Sequence, residues 1–185
     1  MIDVKIEGNN GNTVQFFKGL LKGVRKDKGE EVPPPPPPSP REETAKEEKD
    51  KTPKERQKEL DEELSVASFK GDIEGVKNLI ERGANVNAKS EETGWSSLMS
   101  AVSENHKDVA ELLLANGADV NAKDNHGFTA LMIAAVDRRK NIIKLLLVNG
   151  ADLNARDKEG FTAITYAATK GYDDIVELIR GTRYT

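Results

Sequence analysis

The chain contains no cysteine. Disulfide staples, thiolate zinc sites and a cysteine nucleophile are therefore excluded. Histidine is nearly as scarce. His106 and His126 are the only two, and they form no HExxH-type pair, so a metal or general-base role is not expected of either. The glycines never fall into GxxxxGKS/T or GxGxxG, and no phosphate cradle is visible. Long apolar runs are missing too. The longest span a few residues, far short of the roughly 20 needed for a membrane-spanning helix. Excess positive charge is also lacking: the net charge is −4 and the pI about 5.4. No nucleic-acid partner is expected from that balance. Nor does the segment VQFFKGLLKGV resemble a secretory signal, because Lys18 and Lys22 interrupt it. A chain kept in the cytoplasm is the expectation, with leaderless export as the alternative.

Composition divides what remains into three regions. Residues 1–29 begin with alternating Ile2, Val4 and Ile6, pass through a turn-like GNNGN and continue as a short cationic segment. Helical spacing there places Val14, Phe17, Leu21 and Val24 on one face, with Phe16 and Leu20 beside them. Val14–Val24 has three readings: a partner or a second copy, the protein's own body, or an anionic membrane surface. Gly19 and Gly23 weaken a helix there by roughly 1 kcal/mol each. Residues 30–51 open with EEVPPPPPPSP and continue in charged residues, too polar to bury a core. The six prolines predict a stiff spacer of roughly 19 Å, with a ligand for proline-reading modules as the alternative. Residues 52–185 are the folded body, expected to be stable without the rest. Thr52, Pro53 and Glu55 carry the pattern of a capping box with proline at the first helical position.

The body repeats itself. GADVNAKDNHGFTALMIAAV, from Gly117, and GADLNARDKEGFTAITYAAT, from Gly150, are identical at 12 of 20 positions. Gly94, Gly127 and Gly160 are 33 apart, and Asn87, Asn121 and Asn154 are 34 and 33 apart. A constant period of this length predicts a stacked solenoid, in which one unit cannot bury its own apolar face and several do so together. Each unit reads as turn, helix, helix. Gly94, Gly127 and Gly160 suit tight turns with positive φ. Ser96, Thr129 and Thr162 follow as N-caps. The first helix is rich in small residues, and the second is apolar at helical spacing and ends at Gly83, Gly117 or Gly150. Between the helices stand Gly71, Asn105, Arg138 and Gly171. If that turn is left-handed, arginine fits it poorly, and Arg138→Gly should stabilise by roughly 0.5–1 kcal/mol.

GWSSLMSAVSENHKDVAELLLANGADVNAK, GFTALMIAAVDRRKNIIKLLLVNGADLNAR and GFTAITYAATKGYDDIVELI closely resemble the ankyrin repeat, with LSVASFKGDIEGVKNLIERGANVNAK as a degenerate first copy. The resemblance implies an all-α ankyrin-repeat solenoid of four units, the first acting as N-terminal cap. The family's TPLH motif is altered: Ser96-Ser97-Leu98-Met99, Thr129-Ala130-Leu131-Met132 and Thr162-Ala163-Ile164-Thr165 lack its proline and histidine. The usual Thr–His hydrogen bond is therefore not expected. In the family the recurring asparagines are hairpin residues, sometimes hydroxylated, and a structural role is expected for them here.

The resemblance also implies a non-catalytic protein-binding module, a scaffold or adaptor with no cofactor. Its partner would meet the hairpin tips and the concave inner-helix face. At the tips stand Glu92, Thr93, Asn125, His126, Lys158 and Glu159. Trp95, Phe128 and Phe161 follow the turn glycines at intervals of 33 and should line up as a ridge, serving either as a hot spot or as a seal between units. The inner-face positions are Ser103, Glu104, Val136, Asp137, Thr169 and Lys170. The alternative is a regulatory or inhibitory protein, anchored to a membrane or partner by residues 1–29, whose repeats bind an enzyme.

Overall fold

Eight helices in four antiparallel pairs make up the stack in the computed structural model, which describes residues 51–181. The readings for residues 1–29 and for most of 30–51 lie outside the described residues. The helices are α1 (Pro53–Lys70), α2 (Ile73–Glu81), α3 (Ser97–Ser103), α4 (Lys107–Ala115), α5 (Ala130–Val136), α6 (Lys140–Val148), α7 (Ala163–Thr169) and α8 (Asp173–Gly181). No strand occurs among the described residues; Lys89 and Ser96 form one isolated antiparallel bridge.

Local chemistry sets the helix limits. Thr52 accepts from the Glu55 N–H at 3.3 Å, and the Glu55 carboxylate accepts from the Thr52 N–H at 2.7 Å, closing the capping box. Ser96, Thr129 and Thr162 cap α3, α5 and α7 through their hydroxyls. These three helices then place alanine and medium apolar side chains in the interior. Met99, Ala101, Val102, Met132, Ala134, Ala135 and Ala167 are all inaccessible to solvent. The small side chains let α1, α3, α5 and α7 pack in sequence as one layer, and α2, α4 and α6 form a second. Val76, Val109, Leu113, Ile142, Leu146, Ile175 and Ile179 fill the space between the layers.

Side-chain amides staple one unit to the next. The Asn87 amide N–H donates to the Gly117 carbonyl at 2.9 Å, and its oxygen accepts from the Asp119 N–H at 2.7 Å. Asn121 repeats this one unit on, with Gly150 at 3.1 Å and Asp152 at 2.7 Å. The structural role expected of these two asparagines is therefore what the geometry shows. In the first unit two residues of α1 share the task. Gln57 donates to the Gly83 carbonyl at 3.0 Å, while Asp61 accepts from the Asn85 N–H at 2.7 Å. Asn121→Ala removes both bonds and is expected to cost about 2 kcal/mol. Its urea midpoint checks this; a midpoint equal to that of the parent would mean that water replaces the amide without loss.

All four inter-helix turns are left-handed, with φ of 74° at Gly71, 65° at Asn105, 55° at Arg138 and 72° at Gly171. The expected gain from Arg138→Gly does not follow, because the guanidinium has contacts to lose. It donates to Asp174 at 3.1 and 3.2 Å and lies 5.2 Å from the centre of the Tyr172 ring. Strain costs about 1 kcal/mol. An exposed ion pair and an exposed cation–π contact together return a similar amount. Arg138→Gly is therefore expected to shift stability by less than about 0.5 kcal/mol, whereas Arg138→Ala, which keeps the strain, loses about 1 kcal/mol. Chemical denaturation of the two variants side by side separates strain from contact.

Candidate functional site

The hairpin tips are built by backbone bonds between neighbouring units. The Asn125 N–H donates to the Thr93 carbonyl and the Lys158 N–H to the His126 carbonyl, each at 3.0 Å. The Asn125 amide reaches the Glu92 carbonyl at 2.9 Å. The main chain of the tips is thus committed to stacking, while the side chains of Glu92, Thr93, Asn125, His126, Lys158 and Glu159 remain exposed. Inside the last two hairpins a carboxylate closes the turn, where the first has the Ser90 hydroxyl. Asp124 accepts from the N–H groups of His126 and Phe128 at 2.8 Å, and Asp157 from those of Glu159 and Phe161 at 2.9 Å.

The three aromatic residues do not share one environment. Trp95 and Phe128 are half-buried and pack on the core, whereas Phe161 is 41 % exposed. Tyr166 of α7 joins Phe128 to Phe161, with ring centres 5.1 and 5.6 Å away, and its hydroxyl donates to Asp157. The ridge at the last two hairpins therefore runs Phe128–Tyr166–Phe161. Burial, then the Asp157 carboxylate, pushes the Tyr166 hydroxyl up to about 12. Burial acts to raise Asp157 as well, but the Tyr166 hydroxyl and the N–H groups of Phe161, Glu159 and Gly160 outweigh it and hold the carboxyl below its ordinary value.

The residues expected on the inner face lie at the ends of the first helices. Ser103 and Val136 are half-buried at the ends of α3 and α5, and Glu104, Asp137, Thr169 and Lys170 are exposed beside them and at the end of α7. Sequence reasoning missed the contribution of the first unit to this face. Val66 and Phe69 are each 51 % exposed, one turn apart on a helix whose Leu64 is completely buried. Phe69 lies 34 residues before Ser103, so the repeat register alone contained the signal. A groove between α1 and the first hairpin is lined by Gln57, Glu62, Ser65, Val66, Glu92 and Trp95 among others.

The remaining candidates have structural partners. The His106 ring nitrogen Nε2 meets the Phe69 carbonyl at 3.0 Å, and Arg139 donates to the Ser103 carbonyl at 3.3 Å, so both secure the end of the preceding first helix. Glu91 pairs with Lys58 at 3.2 Å, and Asp173 and Asp174 open α8, where negative charge suits the helix dipole. Among the described residues no cluster of His, Asp and Glu is arranged to hold a metal ion. No helix among them is long and apolar enough to cross a membrane.

Comparison with known proteins matches the same region. Ankyrin repeat domain-containing protein 40 of Mus musculus is 44 % identical over 63 residues, which are 34 % of this chain and 17 % of that protein. The 2-5A-dependent ribonuclease of Homo sapiens is 45 % identical over 56 residues, 30 % of this chain and 8 % of that enzyme. Protein phosphatase 1 regulatory subunit 27 of Mus musculus is 38 % identical over 64 residues, 35 % of this chain and 41 % of that subunit. The chain thus spans less than half the length of these relatives. A family model described as ankyrin repeats, in three copies, matches residues 64–157 and 123–184. With the repeated helix pairs, the left-handed turns and the amide staples, that match covers most of the folded body, and the chain belongs to the ankyrin repeat family.

Proposed function

We propose that the chain is a non-catalytic scaffold or adaptor that takes a protein partner on its hairpin tips and inner-helix face. Ankyrin repeats are protein-interaction modules, and the observation that carries the finer reading is the pair Val66 and Phe69. Both are apolar and half-exposed, and Phe69 holds in the first unit the repeat position of Ser103 and Val136. In the second unit the same positions hold Ser100 and Ser103, so the scaffold does not require apolar groups there. Adjacent apolar side chains with a polar rim are what an interface core needs. Glu62, Glu92, Glu104 and Asp137 supply such a rim and favour a partner with basic residues around an apolar anchor.

Capture of partners from lysate of the source organism by the whole chain, followed by mass spectrometry, supplies the partner. Phe69→Ala and Trp95→Ala are then expected to weaken its binding by about 2 kcal/mol each, with Phe128→Ala acting mainly on the melting temperature. If Phe69→Ala and Trp95→Ala lower the melting temperature while affinity holds in the folded fraction, the partner sits elsewhere.

A regulatory reading stands beside this one, because one relative is named as a regulatory subunit of a protein phosphatase. Under it the repeats bind an enzyme, and residues 1–29 provide the anchor. Measuring the captured partner's catalytic rate with and without this chain distinguishes the two: an unchanged rate leaves the adaptor.

A further inference from the structure

The first hairpin departs from the other two at the residue that closes its turn. Ser90 holds the repeat position of Asp124 and Asp157. The backbone is alike at all three. The Ser90 N–H donates to the Trp95 carbonyl at 2.9 Å, and those of Asp124 and Asp157 donate to the Phe128 and Phe161 carbonyls at 3.0 Å. The side chains differ. Each carboxylate accepts two N–H groups, at 2.8 Å for Asp124 and 2.9 Å for Asp157. The Ser90 hydroxyl accepts one, from Thr93, at 3.4 Å. The Trp95 N–H, equivalent to those of Phe128 and Phe161, turns instead to the Thr93 hydroxyl at 3.2 Å. This hairpin also has one residue more between Ser90 and its turn glycine. The short serine side chain does not span it.

What this turn lacks is an anion on a longer arm. Phosphorylation of a serine supplies one, with a charge of about −1.5 to −2 and strong acceptor oxygens. Phosphoserine reaches one bond further than aspartate, which suits the additional residue. The hairpin is open to a modifying enzyme. Residues 89–93 are all exposed, whereas Asp124 is half-buried and Asp157 buried. Glu91 and Glu92 follow Ser90 directly, a charge pattern that suits a kinase with a basic substrate groove. The surroundings can receive the charge. Ser90 lines a groove with Lys54, Lys58 and Lys89, which stand against Asp61, Glu62, Glu91 and Glu92 and leave it near neutral. Asp61 is held by Gln57 and the Asn85 N–H, and Lys89 by the Lys123 carbonyl. Lys58 is the movable charge. It meets Glu91 at 3.2 Å and Glu62 at 4.0 Å, and all three are exposed. Exposed pairs of this kind are weak. A phosphate on the residue next to Glu91 carries more charge than either carboxylate and draws the ammonium to itself.

We propose that Ser90 is a phosphorylation site, and that its phosphate closes the first hairpin as Asp124 and Asp157 close the others. A protein kinase transfers the γ-phosphoryl group of a nucleoside triphosphate. The bond from the Ser90 Oγ to phosphorus forms as the bond from phosphorus to the bridging oxygen of the nucleotide breaks. The hydroxyl proton passes to a base of the kinase, and a nucleoside diphosphate leaves. The phosphate then accepts the Thr93 and Trp95 N–H groups. Lys58 becomes its counter-charge, with Lys54 one turn before it on α1, and Glu91 turns to solvent. The site itself requires no partner. Under the reading of the hairpin tips as a partner surface, the modification regulates the order of the hairpin that carries Trp95.

Two measurements on the whole chain test this. In the first, the chain and its Ser90→Ala variant are incubated with magnesium ATP and an extract of the source organism, and their peptides are mapped by mass spectrometry. Phosphate on Ser90 is expected, and its absence overturns the proposal. In the second, phosphoserine is installed at position 90 during translation, and amide exchange is followed residue by residue by NMR. The Thr93 and Trp95 N–H groups are expected to exchange about tenfold more slowly than in the parent, because a charged acceptor replaces neutral hydroxyls. The His126 and Phe128 N–H groups, already held by Asp124, should be unchanged and serve as the internal reference. Unchanged or faster exchange at Thr93 and Trp95 overturns the proposal, since Glu91 and Glu92 then keep the phosphate out of the turn. No partner enters either measurement. A negative result therefore leaves the partner-binding reading standing, and a failed partner search leaves this one standing.

Discussion

Replacing Gly127 with alanine is expected to lower stability by about 3 kcal/mol or more, whereas the same change at Gly160 costs about 1 kcal/mol. The two glycines occupy the same turn position 33 residues apart, and their φ angles are nearly equal, 88° and 87°. Both variants therefore carry the same left-handed strain. The difference lies in what surrounds them. A methyl group on Gly127 would sit 2.9 Å from the Asp157 Cα and 3.0 Å from the Lys158 nitrogen, both backbone atoms of the next hairpin. On Gly160 it would meet nothing within 4 Å. Rotating a side chain cannot relieve the Gly127 contact, so the hairpins must part. The bond from Lys158 to the His126 carbonyl then breaks. Urea denaturation of both variants is the check. Equal losses would mean that strain alone governs these turns and that the hairpins separate at little cost.

This contrast shows where the sequence stops being legible. The recurrence of Gly94, Gly127 and Gly160 was enough to place three turns, and positive φ at all three followed from what glycine adopts without steric cost. Which of them is pressed by a neighbour depends on the next hairpin in the stack, and no local pattern carries that. The same division holds for the caps and staples. Ser96, Thr129, Thr162 and the Thr52–Glu55 box act over three residues and could be read directly. The substitution of Gln57 and Asp61 for a hairpin asparagine acts over 24 to 26 residues and could not.

The candidate site divides similarly. Periodicity aligned Trp95, Phe128 and Phe161 as equivalents, yet their exposures differ because their neighbours differ. Tyr166 packs on Phe128 from the unit that follows it. Its counterpart in the preceding unit is Ile133, which has no hydroxyl to offer the turn carboxylate. Phe69 was obscured for the opposite reason. Its unit departs so far from the repeat consensus that register, rather than resemblance, was the only guide to its place on the inner face. Arg138 fell between the two cases: the left-handed turn was readable from Gly71 and Gly171, but the offsetting contacts with Asp174 and Tyr172 come from α8 and its approach, 34 to 36 residues on.

The second large effect is expected at Asp157, where alanine should cost about 3 kcal/mol. Asp157 is 8 % exposed, and its carboxylate accepts from the Glu159 and Phe161 N–H groups and the Tyr166 hydroxyl. Alanine leaves these donors without their acceptor in a partly buried place. Tyr166→Phe removes only the hydroxyl and should cost about 1–2 kcal/mol, since the backbone donors still hold the carboxylate. Titration separates this lock from simple packing. The Asp157 carboxyl lies below its ordinary value in the fold, because its donors outweigh the effect of burial. Its contribution is therefore full above the unfolded value of about 3.9 and is lost as pH falls through the lower folded value. Tyr166 has the opposite sign. Burial and Asp157 raise it to about 12 against an unfolded value of 10.0. Its contribution is full below pH 10 and is lost as pH rises toward about 12. Urea midpoints measured across that alkaline interval should fall more steeply for the parent than for Tyr166→Phe. Parallel curves would show that the phenol titrates freely, and the last hairpin would then be held by its backbone bonds and by Phe128 and Phe161 alone.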